Sequence, residues 1–388
     1  MEQKKTPKRR SPYQRSRRLQ GQWLSYLLVG CIILVLAMSL LTPDKDFSES
    51  ENRSLAQFPR LADVLDGTIL GDLGDYFADQ FPGRDLWMSL NLGINRLLGQ
   101  KEASGVYLCD DDYLMQVPSA PNAEQVARNL AAINTFGQNH PELNLVMSVV
   151  PNAVTVHADK LPANAPVRDQ AADLAALKNG LTAGTFVDVT DTLKAHGDEY
   201  LFYKTDHHWT SLGAYYAFTD IAGALNLSAP LPESYTVYPV STGFEGTLSS
   251  KSGSHAARDT VDIYVPDTTI DYYVSYPDGR NISSLYHREA LNNKDHYTVF
   301  FGGNHSRVDI TTTANTGRCL LLFKDSYANC MVQFLYPYFD HITMIDPRYY
   351  YDNVELVIKS EAITDVLLLY NLDTYLGDTS LADVLVSE

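Results

Sequence analysis

The longest apolar pattern in the chain runs unbroken from Trp23 to Leu41 (WLSYLLVGCIILVLAMSLL), nineteen residues without a charge. At ~1.5 Å per residue, a helix of that length spans ~28 Å, about one hydrocarbon core. Residues 23–41 are therefore predicted to form a transmembrane anchor. Residues 42–103 carry two helical patterns and read as a helical lead-in region. The first uses Leu73, Tyr76, Phe77 and Phe81 and ends near Pro82-Gly83. The second uses Leu86, Leu90, Ile94, Leu97 and Leu98 and stops at Gly99.

From residue 104 to 388 the pattern becomes α/β. Val106-Tyr107-Leu108 predicts a short strand and Ala123 to Gly137 a helix. Leu143 to Val150 is an apolar run ended by Pro151, the pattern of a parallel strand buried on both faces. Gln170 to Leu181 predicts a helix and Phe186 to Val189 a strand. Ser211 to Leu225 predicts an amphipathic helix capped by Thr210 or Ser211. Three more buried strands are predicted at Cys319–Phe323, Ile342–Ile345 and Val366–Leu369. Residues 231–316 interrupt this rhythm with Tyr, Thr, Ser, Gly and Asp and short alternations such as Val261 to Val265. They are expected to form a β-rich insertion facing the substrate or lying over it as a lid.

Charge adds a direction to the anchor. Eight of the first twenty residues are Lys or Arg, so residues 1–22 are expected to be a basic cytoplasmic tail. The positive-inside rule then exports everything after Leu41. A cleaved signal peptide is the rival reading, with Ala37-Met38-Ser39 as a small-x-small site. The whole chain carries −17, and the body without its basic tail is more acidic still. Such a surface repels phosphate backbones and excludes nucleic acid as an expected partner. The cysteines Cys31, Cys109, Cys319 and Cys330 show no metal spacing; one disulfide is possible and none is required.

Two clusters carry candidate chemistry. In Tyr203-Lys204-Thr205-Asp206-His207-His208-Trp209, an Asp and a His two apart on an extended segment project to the same side. The carboxylate can then hold the imidazole in one tautomer, with Trp209 as a wall. In Leu320 to Asn329, Ser326 follows an apolar strand at a turn toward a helix. Open α/β sheets place ligands at that edge, and the helix N-terminus faces a developing oxyanion. Asp206, His207 and His208 also offer metal-ligand atoms, but no further cluster at ligand spacing accompanies them, so neither metal nor cofactor is expected.

Asp206 to Trp209 (DHHW), together with Lys324-Asp325-Ser326-Tyr327, resembles the DHHW protein family, related to the AlgJ/AlgX-like, SGNH-type proteins of polysaccharide O-acetylation. Glu51-Asn52-Arg53, Leu55, Phe58-Pro59, Tyr76-Phe77, Asp79 to Arg84 and Val150-Pro151-Asn152 extend the resemblance. It implies a permuted SGNH-hydrolase-like parallel sheet flanked by helices, with the Asp-x-His pair before the serine. Ser326 is then the nucleophile, His208 the base and Asp206 its partner, with His207 the second choice of base. Lys324 stands where the usual Gly-Asp-Ser has its Gly, and no clean Gly-x-Asn-Asp block is present. Asn371, after the last strand, is the first candidate to bind the oxyanion and Asn304 the second, with Tyr327 near the nucleophile. Arg348 is a candidate for a substrate anion or a structural ion pair.

These residues support a polysaccharide O-acyltransferase, probed against two alternatives: an esterase using the same residues, and a surface carbohydrate-binding protein with a relic site. The resemblance further implies a multi-spanning membrane O-acyltransferase as acyl-supplying partner.

Overall fold

The computed structural model describes residues 12–48, 53–59, 69–268 and 270–386. The basic residues before position 12, and Glu51-Asn52 of the lead-in motif, lie outside the described residues. The chain divides into two compact units, Met1–Asn91 and Leu92–Glu388.

In the first unit, a helix spans Pro12–Leu41, and its Gln20–Ser39 stretch is long and apolar enough to cross a membrane. It is a candidate anchor or signal segment. The two helices predicted after it form at Ile69–Asp79 and at Arg84–Leu97, the second running across the Asn91/Leu92 boundary. Gly83 and Gly99 supply the left-handed turns (φ +67° and +87°) that end the first pattern and the second. Motif residues tie this unit together: Ala56 N–H donates to Asp79 (2.9 Å), Gln80 Nε2 to the carbonyls of Lys45 and Ala56, and Phe58 meets Tyr76 edge-on.

The second unit is built on an eight-stranded sheet. In chain order its strands are β1 (Asn144–Val150), β2 (Thr185–Val187), β3 (Tyr272–Ser275), β4 (Asn281–Ile282), β5 (Arg307–Thr312), β6 (Cys319–Lys324), β7 (His341–Ile345) and β8 (Asp365–Asn371). Across the sheet they run β4-β3-β5-β7-β6-β8-β1-β2. The five strands from β7 to β2 are parallel, and β4, β3 and β5 add antiparallel at one edge.

Period-two alternation sends β6 residues to both faces. Leu320 and Leu322 pack with the Ser211–Ala224 and Ala328–Leu335 helices, while Leu321 and Phe323 pack with Ala123–Asn139 and Val354–Ser360. Burial on both faces is the reason these strands are apolar throughout.

Residues 231–316, expected as a β-rich insertion, supply strands to the main sheet. Their strands β3, β4 and β5 extend the main sheet through pairing of β5 with β7, from Arg307↔Ile345 to Thr311↔His341. Among the described residues of this stretch, only the Tyr235–Phe244 and Asp259–Pro266 pair forms its own small sheet. The Val261–Val265 alternation lies in that pair and not in the main sheet. All four cysteines are free.

Candidate active site

Thr205 to Trp209 is not an extended segment. It is the tip of a tight loop closed by pairing of Phe202 with Trp209. Within that loop Asp206 Oδ1 accepts from the backbone N–H of His208 (3.0 Å) and lies 2.5 Å from its Nδ1. Two residues apart therefore brings carboxylate and imidazole together by a turn, not by strand geometry. The loop is held from below by the buried Asp259. Its Oδ2 accepts from Thr205 N–H (2.7 Å) and Thr205 Oγ1 (2.5 Å), and its Oδ1 from Lys204 N–H (2.8 Å) and Tyr200.

His208 Nε2 reaches Ser326 Oγ at 2.7 Å. An ionised Asp206 can only accept, so the His208 proton sits on Nδ1 and Nε2 is left to accept from the serine. Burial opposes the charge on Asp206. The two imidazoles and hydrogen bonds from His208 and Thr247 outweigh that and hold its carboxyl well below the usual range. Thr247 donates to Asp206 Oδ2 from its N–H (2.8 Å) and its Oγ1 (2.9 Å). His207 Nδ1 lies 2.8 Å from Thr247 Oγ1 and 3.5 Å from Asp206 Oδ1. Burial, then the neighbouring His208, holds His207 down to about 4.

From Leu320 to Leu335 every residue is buried except Ser326. The turn carrying it is fixed by the buried Asp325, which accepts from Tyr327 N–H (2.9 Å) and from Asn371 N–H at the end of β8 (2.8 Å). Lys324, in the place of the usual Gly, ends a regular strand and needs no left-handed backbone. Its buried Nζ donates to Asn329 (2.9 Å) and Asn304 (3.2 Å) and lies 3.8 Å from Asp346.

Asn304 is thus engaged with Lys324 and Asn329. Arg348 makes a bidentate pair with Asp346 (2.8 and 2.6 Å). Trp209 is wholly buried beneath the site, and its Nε1 donates to the Tyr327 carbonyl (2.9 Å). Tyr327 is buried as well, with its hydroxyl donating to the His207 carbonyl (2.5 Å).

Asn371 remains open for chemistry. Its Oδ1 accepts from Asn152 Nδ2 (3.3 Å) and Asp373 N–H (3.0 Å), which leaves Nδ2 buried with no partner among the described residues. Asn152 is itself fixed by Gln170.

Asp206, His207 and His208 could together hold a metal ion, since their ligand atoms lie within 4.8 Å of one another. The imidazole nitrogens nearest the carboxylate are both Nδ1, at 2.5 Å from Asp206 Oδ1 for His208 and 3.5 Å for His207.

Sequence reading missed Thr247, Gly246, Asp259 and Tyr297, all from the residues read as an insertion. Tyr297 stacks on His208 and donates its hydroxyl to the Ser326 carbonyl (2.8 Å). None of the four sits in a motif, and the contacts form across 29 to 89 positions of chain.

The model of the family described as DHHW protein matches residues 148–345, from within β1 to the end of β7. The chain belongs to the DHHW family. It is 27% identical over 216 residues to the probable alginate O-acetylase AlgJ of Pseudomonas syringae pv. tomato. That match covers 51% of this chain and 54% of AlgJ, so the chain spans about half the length of the curated relative it matches. The crystal structure of a DHHW family protein from Eubacterium siraeum superposes with a TM-score of 0.65 at 25% identity, covering 74% of this chain and 98% of that one. The structure of Bacillus cereus PatB1 with a sulfonyl adduct shares the fold at a TM-score of 0.59 and 21% identity, over 71% and 96% of the two chains.

Proposed function

We propose that this DHHW protein is a serine-dependent O-acyltransferase of permuted SGNH type that modifies an exported or cell-surface polysaccharide. The observation that carries the reading is the contact chain from Asp206 through both His208 nitrogens to the one unburied residue of its segment, Ser326. His208 Nε2 takes the Ser326 proton as Oγ attacks the acyl carbonyl, and returns it to the leaving group. A sugar hydroxyl then gives its proton to Nε2 and attacks the acyl-serine, and the proton returns to Ser326 as it departs. Asp206 holds the tautomer and stabilises the transient imidazolium. Asn371 Nδ2 supplies a donor to the oxyanion. The name of the AlgJ relative, an alginate O-acetylase, supports acetyl as the group and polysaccharide as the acceptor class.

In this reading the Pro12–Leu41 helix anchors the protein, its N-terminus is cytoplasmic, and the second unit works outside. A multi-spanning membrane O-acyltransferase presents the acyl group there. Protease added outside intact cells should digest residues 42–388 and spare the N-terminus. A soluble product beginning at Leu40 would make the segment a cleaved signal.

The chemistry is tested by incubating the full chain with an activated acetyl ester and an oligosaccharide, followed by mass spectrometry. Acetyl on Ser326 and then on sugar is the expected result. Acetyl-serine that yields only acetate makes the protein an esterase, and no acetyl-enzyme at all overturns the mechanism.

A further inference from the structure

Beyond the carboxyl edge of the sheet lies a cavity of about 590 Å³, within the size range of ligand sites. One wall is the Pro347–Asp352 turn after β7 and the other the Thr379–Val384 stretch after β8. These two strands flank β6, which leads into the serine turn. The register sets Phe323 beside Ile345 of β7 and Leu368 of β8, so both walls leave the sheet at the edge that carries Ser326.

The lining has an unusual balance. Of its two tyrosines, Tyr350 is buried and Tyr351 is 90% exposed. The charges of Arg348 and Asp383 are already matched, by Asp346 and Arg128. The hydroxyls of Tyr351 and Thr379 and the Asp352 carboxylate make no hydrogen bond to any described residue. An exposed flat ring beside hydroxyls and an acceptor carboxylate suits a sugar, whose C–H face stacks on an aromatic ring while its hydroxyls donate sideways. Carboxylates in the wall and a net charge of −17 disfavour an anionic chain.

We infer that this cavity is a distal binding subsite for a neutral sugar chain, the part of the acceptor beyond the residue that receives the acyl group. Its role as an acceptor subsite rests on the proposed acyl transfer; sugar binding itself does not. In this role the subsite acts on acceptors long enough to reach from Ser326 to this turn.

Two measurements test this on the full chain in detergent. The Ser326→Ala protein is titrated calorimetrically with neutral glucose and N-acetylglucosamine oligomers, and with oligomers of a uronic acid. Neutral oligomers should bind, and adding Tyr351→Ala should weaken them about tenfold, the upper worth of an aromatic stack. In the Ser326-containing protein, Tyr351→Ala should raise KM for long acceptors by a similar factor. Acetyl-enzyme formation and transfer to a monosaccharide should not change. Tyr351 is so exposed that its removal leaves folding intact. No binding of any neutral oligomer, stronger binding of the uronic series, or equal effects on long and short acceptors would overturn the assignment. Failure of acyl transfer with oligomer binding retained would overturn the proposed enzyme and leave the subsite standing.

Discussion

The phenol ring of Tyr297 lies parallel to the imidazole of His208, with centroids 3.8 Å apart and planes inclined by 13°. The same side chain donates its hydroxyl to the Ser326 carbonyl at 2.8 Å. One buried residue therefore fixes both the ring plane of the proposed base and the backbone of the proposed nucleophile.

Tyr297→Phe keeps the stack and loses the hydroxyl, so acylation by an activated ester should slow only a few-fold. Tyr297→Leu loses both. With an aromatic pair worth ~0.5–1.5 kcal/mol, its acylation rate should fall by about a further tenfold. Single-turnover mass spectrometry at temperatures well below each variant's Tm reads this difference. Equal rates for Phe and Leu would show that the stack does not orient His208.

Gly246 is required by space rather than by backbone angle. A Cβ placed there would lie 2.2 Å from Asp206 Cβ and 2.4 Å from Asp206 Oδ2. Gly246→Ala must push Asp206 off the His208 Nδ1. A misplacement near 1 Å is enough for a loss of about 10²-fold in rate. Overpacking should also cost roughly 1–3 kcal/mol of stability. Steady-state kinetics with denaturant unfolding would show both, and a full rate in this variant would mean that the Asp206 position does not limit the reaction.

The parallel strands were legible because burial on both faces writes an apolar run into the sequence, and β1, β6, β7 and β8 fall within a residue or two of their predicted bounds. Thr210 was legible as a cap, and its Oγ1 accepts from Gly213 N–H at 3.2 Å. Asp206, His208 and Ser326 were found through local motifs, though the reason for the Asp-x-His spacing was not. It is a turn closed by Asp206, and only the fold reveals that. Thr247, Asp259 and Tyr297 were illegible because each acts through a contact distant in sequence. A lone Thr, Asp or Tyr in a polar stretch carries no periodic signature. That β3 to β5 join the main sheet was illegible, because a β-rich composition does not report which sheet a strand joins.

Lys324 provides a pH test. Burial holds its ammonium down to about 8, with Asp346 opposing the shift and Arg348 adding to it. The unfolded chain keeps this lysine protonated up to ~10.4. Between those values the unfolded state binds more protons than the folded one, so stability must rise with pH across the window. Below about 8 both states are charged and the full burial penalty is present. In Lys324→Met this dependence disappears, while the cost of unsatisfied Asn304 and Asn329 oxygens stays constant with pH. The stability of wild type relative to Lys324→Met should therefore climb by about 2 kcal/mol from pH 8 to 10, the slope staying below ~1.36 kcal/mol per unit at both ends of the window. Urea unfolding of both proteins at each pH measures it, and a flat difference would mean that Lys324 is not buried as a charge.

The sharpest division is between a covalent serine enzyme and a metal site made of Asp206, His207 and His208. Ser326→Ala removes the atom that would carry the acyl group, so acetyl-enzyme should vanish while stability hardly moves. His208→Ala should slow acylation by ~10²–10⁴-fold, the usual worth of a general base. Asp206→Asn should lose about 10⁴-fold, because the amide can donate to Nδ1 and favours the wrong tautomer. His207→Asn should matter far less, since its Nδ1 faces Thr247 rather than Ser326. The three large losses should not add, because each variant disables the same proton relay. Chelators should leave the rate unchanged. A metal centre predicts the reverse: loss on chelation, comparable damage from His207→Asn and His208→Ala, and survival of activity in Ser326→Ala. Measuring these four variants with one activated ester, with and without chelator, separates the two chemistries.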